Sequence, residues 1–143
     1  MENATLNLSI VTPSRRVVGP VPARSISIPG GKGEITVLPG HARLLTTMET
    51  GVLSFEREDG RIEYAAVSAG FVEVHADKVV VLADTLELAQ EIDVDRSRRA
   101  LAKAEEKLKA KESFEEDMLK WQRKVQRAAV RQQVAEYLLP TGR

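Results

Sequence analysis

Glycine and proline crowd into one part of this chain, and that crowding limits what each part can become. Eight of the nine glycines and five of the six prolines lie before Phe71. Charged residues run the other way, 18 in the first 84 positions and 24 in the last 59. Glycine frees φ, and proline fixes it while removing a donor, so the first part is cut into short pieces by turns. Between those turns apolar residues alternate with polar ones, whereas beyond about Leu86 they recur at helical spacing. The chain is therefore expected to be α+β in two domains: a β-sandwich over residues 1–86 and an antiparallel helical hairpin over residues 87–143.

The β pieces can be read one by one. Thr5–Val11 alternates, with Leu6, Leu8 and Ile10 on one face, as a half-buried strand does. Pro13-Ser14 breaks it. Arg15–Val18 is a short strand ahead of Gly19-Pro20-Val21-Pro22, whose two prolines argue against a continuous strand there. Ala23–Ile28 turns Ile26 and Ile28 inward. Two apolar runs, Ile35–Leu38 and Leu44–Leu45, flank Pro39-Gly40 and read as a strand turning a corner. Glu58-Asp59-Gly60 joins one hairpin, and Ala76-Asp77-Lys78 joins a second. That makes about eight to ten short strands, the spacing of a sandwich or barrel.

Asp93 can cap a helix running to about Lys111, with Val94, Leu101 and Leu108 recurring at sevens and Ser97 and Ala104 between them. Ser113 and Glu116 form a capping box for a second helix. That helix lines up Phe114, Met118, Trp121, Val125, Ala128, Gln132 and Ala135 before Pro140-Thr141-Gly142 ends it. The seam is thin and rich in alanine. Such a hairpin packs closely but gains little stability from burial, as a movable element or any small accessory hairpin would.

Composition excludes several functions. Basic and acidic residues balance at 21 each, which argues against a nucleic-acid or anionic-membrane binder. Cysteine is absent, so thiol catalysis and Cys-based metal sites are not expected. No apolar run approaches the roughly 18 residues of a membrane span, so no direct insertion is expected. Gly30-Gly31-Lys32-Gly33 lacks the spacing of a phosphate-binding loop, and nothing around His41 or His75 resembles a metal motif. No catalytic residues can be named. Glu34 and His41, beside Pro39-Gly40, read as solvated turn residues.

The stretch GEITVLPGHARLLT, Gly33–Thr46, resembles the GELGxLPGHAPLLT signature of the epsilon subunits of bacterial F-type ATP synthases. Thr36 and Arg43 depart from it, where the family has Gly and Pro. The order of a β part and then a charged helical part agrees with the family. The resemblance implies a non-catalytic central-stalk subunit of a proton-translocating synthase. It would lie on the cytoplasmic side of the bacterial inner membrane, held there by the complex. It also implies partners: the gamma subunit, the polar loops of the c-ring, and the alpha and beta subunits when the hairpin extends to block ATP hydrolysis. Glu34, Pro39, Gly40 and His41 would then face the ring.

Ile92–Ser97 is similar to the I/L-D-x-x-R-A nucleotide motif of some members, with Ser97 in place of Ala. This places Glu87, Asp93, Arg96, Arg127 and Arg131 as candidate ligands of a regulatory ATP; no other cofactor is implied. Lys120, Arg123, Lys124, Arg127 and Arg131 form a basic face suited to an acidic segment of beta. The alternative is a free-standing β domain whose coiled-coil hairpin serves protein interaction.

Overall fold

Leu6, Leu8 and Ile10 point inward from β1 (Leu6–Val11) and are at most 1% exposed, as their alternation requires. The computed structural model describes residues 4–109 and 115–137. After β1 come β2 (Arg16–Gly30), β3 (Gly33–Val37), β4 (Leu44–Met48) and β5 (Gly51–Arg57). They are followed by β6 (Ile62–Val67), β7 (Gly70–His75), β8 (Lys78–Ala83) and β9 (Leu86–Leu88). The two layers of the sandwich share β2. Its first half pairs with β1, in the layer of β1, β8, β7 and β4, and its last residue, Gly30, meets Met48 of β4; its second half pairs with β3 and β5, in the layer with β6 and β9. Ile26, Leu53 and Phe55 face the interior from one layer, and Leu8, Val72 and Val81 face it from the other. The core is aliphatic apart from Phe55, as the scarcity of aromatics requires.

Contrary to expectation, β2 runs unbroken through Gly19-Pro20-Val21-Pro22. A bulge accommodates it. Leu8 pairs with Val21 and Ile10 with Val18, so Gly19 and Pro20 together oppose Ser9, and the ladder asks no N–H of Pro20. Pro22 lies opposite Asn7, whose N–H points away to Asp77 O at 2.7 Å, so no bond is lost there either.

The β5–β6 loop is Glu58-Asp59-Gly60, with Gly60 at φ +89. Asp59 accepts the Arg61 backbone N–H at 3.0 Å and Arg61 Nε at 2.8 Å, which hold its carboxyl below the usual carboxylate range. The β7–β8 turn is one residue shorter than expected. Ala76 and Asp77 take φ of 50 and 63, the left-handed pair that suits strand twist, and Lys78 already pairs with His75.

A 3-10 turn, Ala89–Glu91, leads from β9 into α1 (Val94–Lys109), and α2 (Glu115–Glu136) returns. Asp93 caps α1, its Oδ1 accepting the Arg96 N–H at 3.0 Å. The seam differs from the heptad reading. Ser97 and Ala104 are fully buried, Leu101 and Leu108 only half so, and Val94 is 40% exposed. Small residues set the closest approach of the helices, and the larger ones straddle it. Ser97 Oγ donates to Ala128 O across that approach at 3.3 Å.

Helix α2 also carries a second face that a single stripe does not anticipate. Val134 and Ala135 pack with Ala66, Ala89 and Ile92, flanked by Val52, Tyr64 and Val130. Tyr137 stacks on Tyr64 with ring centroids 4.0 Å apart. The hairpin therefore rests on the sandwich through a small apolar cluster of its own. The end of α1 near Lys111, Phe114, the Ser113–Glu116 capping box and Pro140-Thr141-Gly142 lie outside the described residues.

Candidate functional site

Two places gather the residues singled out from sequence. The first is the turn after β3. Pro39 pre-sets φ, Gly40 takes φ +85, and His41 N–H closes the turn on Leu38 O at 3.1 Å, the pattern of a type II turn. His41 Nδ1 lies 2.7 Å from Ala42 O, and the Gly40 N–H reaches across to Asp77 Oδ1 at 2.7 Å. Pro39, Gly40 and His41 thus form one unit. Glu34 is exposed at the start of β3, opposite Pro29. About 13 Å of extended strand separates it from Leu38, so the structure does not bring it beside His41.

The second place is a cavity of about 450 Å³ between the sandwich and the hairpin. The sheet side supplies Val67, Ser68, Thr85 and Glu87; the helices supply Lys103, Trp121, Lys124, Arg127 and Arg131. Ser68 and Thr85 bond each other, Oγ to Oγ1 at 2.6 Å, which fixes the corner from which β9 departs. Arg131 Nη2 donates to Glu87 Oε2 at 3.1 Å. Its Nε lies 2.8 Å from Oε1 but is poorly aimed, so that contact is ionic rather than a good hydrogen bond. Arg131 is 22% exposed and Glu87 38%. The pair is part-buried on the Arg131 side and still partly screened by solvent at Glu87, and it ties α2 to β9.

Three of the five proposed nucleotide ligands, Glu87, Arg127 and Arg131, therefore line one cavity. Asp93 and Arg96 are outside its lining, and the Asp93 carboxylate is engaged as the cap of α1. Lys103 and Trp121 also line the cavity, and neither is among the site residues expected from sequence. A signal existed for the second, because Trp121, Lys124, Ala128 and Arg131 follow i, i+3, i+7, i+10 spacing on one helix face. Lys103 carried none, since it reaches the cavity only through the packing of α1 on α2.

Lys120, Arg123, Lys124 and Arg127 are exposed and line an open groove with Leu119, while Arg131 turns inward to Glu87. Lys124 Nζ sits 4.5 Å from the Trp121 ring centre, close enough for a cation–π contact. The cavity combines cations, a carboxylate and an aromatic edge, which suits an anionic ligand bearing a flat ring. Among the described residues, no group of three or more His, Asp or Glu side chains could hold a metal ion.

Residues 5–89 match the family model of the ATP synthase delta/epsilon chain, beta-sandwich domain. The chain is 40% identical to the ATP synthase epsilon chain of Geotalea uraniireducens over 130 residues, 91% of this chain and 93% of the relative. It is 45% identical to that of Moorella thermoacetica over 106 residues, 74% and 78% of the two chains. A chain in the cryo-EM structure of the Euglena gracilis mitochondrial ATP synthase superposes with a TM-score of 0.77. At 23% identity, covering 96% of this chain and 82% of that one, it shares the fold. By its sandwich, by the length of the match and by the two helices that follow, the chain belongs to the epsilon-chain family of ATP synthase, whose members are non-catalytic stalk subunits.

Proposed function

We propose that the sandwich couples the central stalk to the proton-driven c-ring of a bacterial ATP synthase, and that the hairpin restrains ATP hydrolysis. The observation that carries the regulatory half is the basic cavity at the joint of sandwich and hairpin, which the Glu87–Arg131 pair lines from both sides. A ligand in that cavity would touch both bodies at once and so favour the docked hairpin. Released and extended toward the alpha and beta subunits, α2 would offer Lys120, Arg123, Lys124, Arg127 and Arg131 to an acidic segment of beta. The chain would work at the cytoplasmic face of the inner membrane, peripheral through the complex. Among the described residues no helix is long and apolar enough to cross a membrane.

The coupling half has its own support. Leu45, Phe71 and Leu82 are 73%, 54% and 51% exposed on the outer face of β4, β7 and β8, with Phe71 paired to Leu82. An apolar face of this kind fits the gamma subunit. Glu34, Pro39, Gly40 and His41 offer charge and hydrogen-bonding groups to the polar loops of the ring. A cysteine at His41 should cross-link to one in the c-subunit loop of the assembled enzyme, with little product from Asp59→Cys on a different turn. Equal yields from both positions would defeat the orientation.

Nucleotide binding is tested separately. ATP should bind the isolated chain, and Arg131→Ala should weaken it by about 1.5–3 kcal/mol, tenfold or more in affinity. Calorimetry showing no heat at millimolar ATP would end the nucleotide reading and leave Glu87–Arg131 as a structural tie.

A further inference from the structure

The Pro39–Gly40 turn is held by a residue far away in sequence. Asp77 lies in the β7–β8 turn with φ 63, a left-handed backbone that costs any residue but glycine, asparagine or aspartate appreciably. Its carboxylate Oδ1 accepts the Gly40 N–H at 2.7 Å, and its carbonyl accepts the Asn7 N–H, also at 2.7 Å. One residue therefore ties together the start of β1, the turn after β3 and the β7–β8 hairpin. Within the Leu38–His41 turn, the backbone bond from His41 N to Leu38 O closes the loop but does not aim it. The residues between β3 and β4 belong to no strand, so pairing does not aim them either. A Cβ built at Gly40 would meet nothing within 4 Å, so no packing on that side of Gly40 aims it.

We infer that Asp77 is the positioning residue of the ring-facing turn: its carboxylate fixes the direction in which Pro39, Gly40 and His41 project. This rests on the proposal that the turn meets the c-ring. The bond is charge-assisted and short, the strong class of hydrogen bond. It holds a loop that must transmit torque without rotating about its own hinge. Aspartate meets both demands of the site, since it tolerates the left-handed backbone and supplies the acceptor.

Two substitutions separate these demands. Asp77→Gly keeps the backbone angle without strain and removes only the acceptor; Asp77→Asn keeps the angle and retains an amide oxygen. In the full isolated chain, Asp77→Gly should speed hydrogen exchange of the Gly40 amide by about tenfold or more, with Asp77→Asn restoring most of the protection. In the assembled enzyme, the cross-link from His41→Cys to the c-subunit loop should drop severalfold with Asp77→Gly and recover with Asp77→Asn. Thermal melting of both variants should stay near that of the parent chain. Unchanged Gly40 exchange in Asp77→Gly would overturn the bond. Faster exchange with an undiminished cross-link would overturn the positioning role. Absence of any cross-link from His41→Cys with Asp77 intact would instead sink the ring-facing reading, and this role with it, while Gly40 exchange still reports whether the bond forms.

Discussion

Deleting residues 92–143 is expected to raise ATP hydrolysis by the assembled enzyme while leaving proton-driven synthesis largely intact. The cut falls after Glu91 for a structural reason. β9 pairs with β6, and Glu91 receives Arg15 Nη2 at 3.0 and 2.9 Å, so the sandwich keeps its last strand and its brace. Among the described residues, what the deletion removes touches the sandwich through a small cluster, one ion pair and the Tyr64–Tyr137 stack. On the proposed regulatory reading, attachments of this size would leave docked and extended hairpins within about a few kcal/mol of each other. Each 1.4 kcal/mol in favour of the extended form multiplies its ratio to the docked form about tenfold, and an enzyme held about nine-tenths in an inhibited extended form would gain about tenfold in hydrolysis on truncation. A disulfide between β6 and α2 that keeps the hairpin docked should mimic the deletion. Hydrolysis no faster than in the intact enzyme, under every nucleotide and proton-gradient condition, would show that the hairpin does not inhibit here.

Gly19→Ala is expected to cost the sandwich several kcal/mol, enough to leave little folded protein. A Cβ at Gly19 would stand 2.1 Å from Leu8 O, a backbone atom of the paired strand, and φ is +89. Nothing flexible can give way. The bulge would have to open, and with it the register that seats Leu8 and Ile10 in the core. A domain stable by about 5–15 kcal/mol does not absorb such a loss comfortably. Gly60→Ala is the control: φ is again +89, but nothing lies within 4 Å of the added carbon. It should cost only about 1–2 kcal/mol, the backbone penalty alone. Urea melts of the two variants would decide the matter, and equal destabilisation would mean that the bulge yields more readily than its geometry indicates.

Much of the architecture was legible in the residues because it is local. Alternation at Leu6, Leu8 and Ile10 assigns a strand face within six residues, and Asp93 caps α1 through a bond three residues away. Gly60 ends a hairpin loop because only its neighbours need fit. The resemblance carried by Gly33–Thr46 reached further, to the family and its stalk role. Of the nucleotide candidates suggested by Ile92–Ser97, Glu87, Arg127 and Arg131 line one cavity, while the Asp93 carboxylate caps α1.

Other features depended on which segments the fold brings together. Gly40 and Asp77 are 37 residues apart, Glu87 and Arg131 44, and Ser97 and Ala128 31. No periodicity relates the members of such pairs. The continuous β2 likewise depended on its partner, because whether a proline breaks a strand is set by which N–H groups the neighbouring strand needs. The second face of α2 became evident only with the sandwich in place, where Val130, Val134 and Tyr137 meet Tyr64 and Ala66. By itself the sequence determined the order of strands and helices, the inward faces of strands such as β1, and the family. The tertiary structure decided which charges pair, where the cavity opens and what aims the Pro39–Gly40 turn, because those contacts follow from chain closure over tens of residues rather than from any local preference.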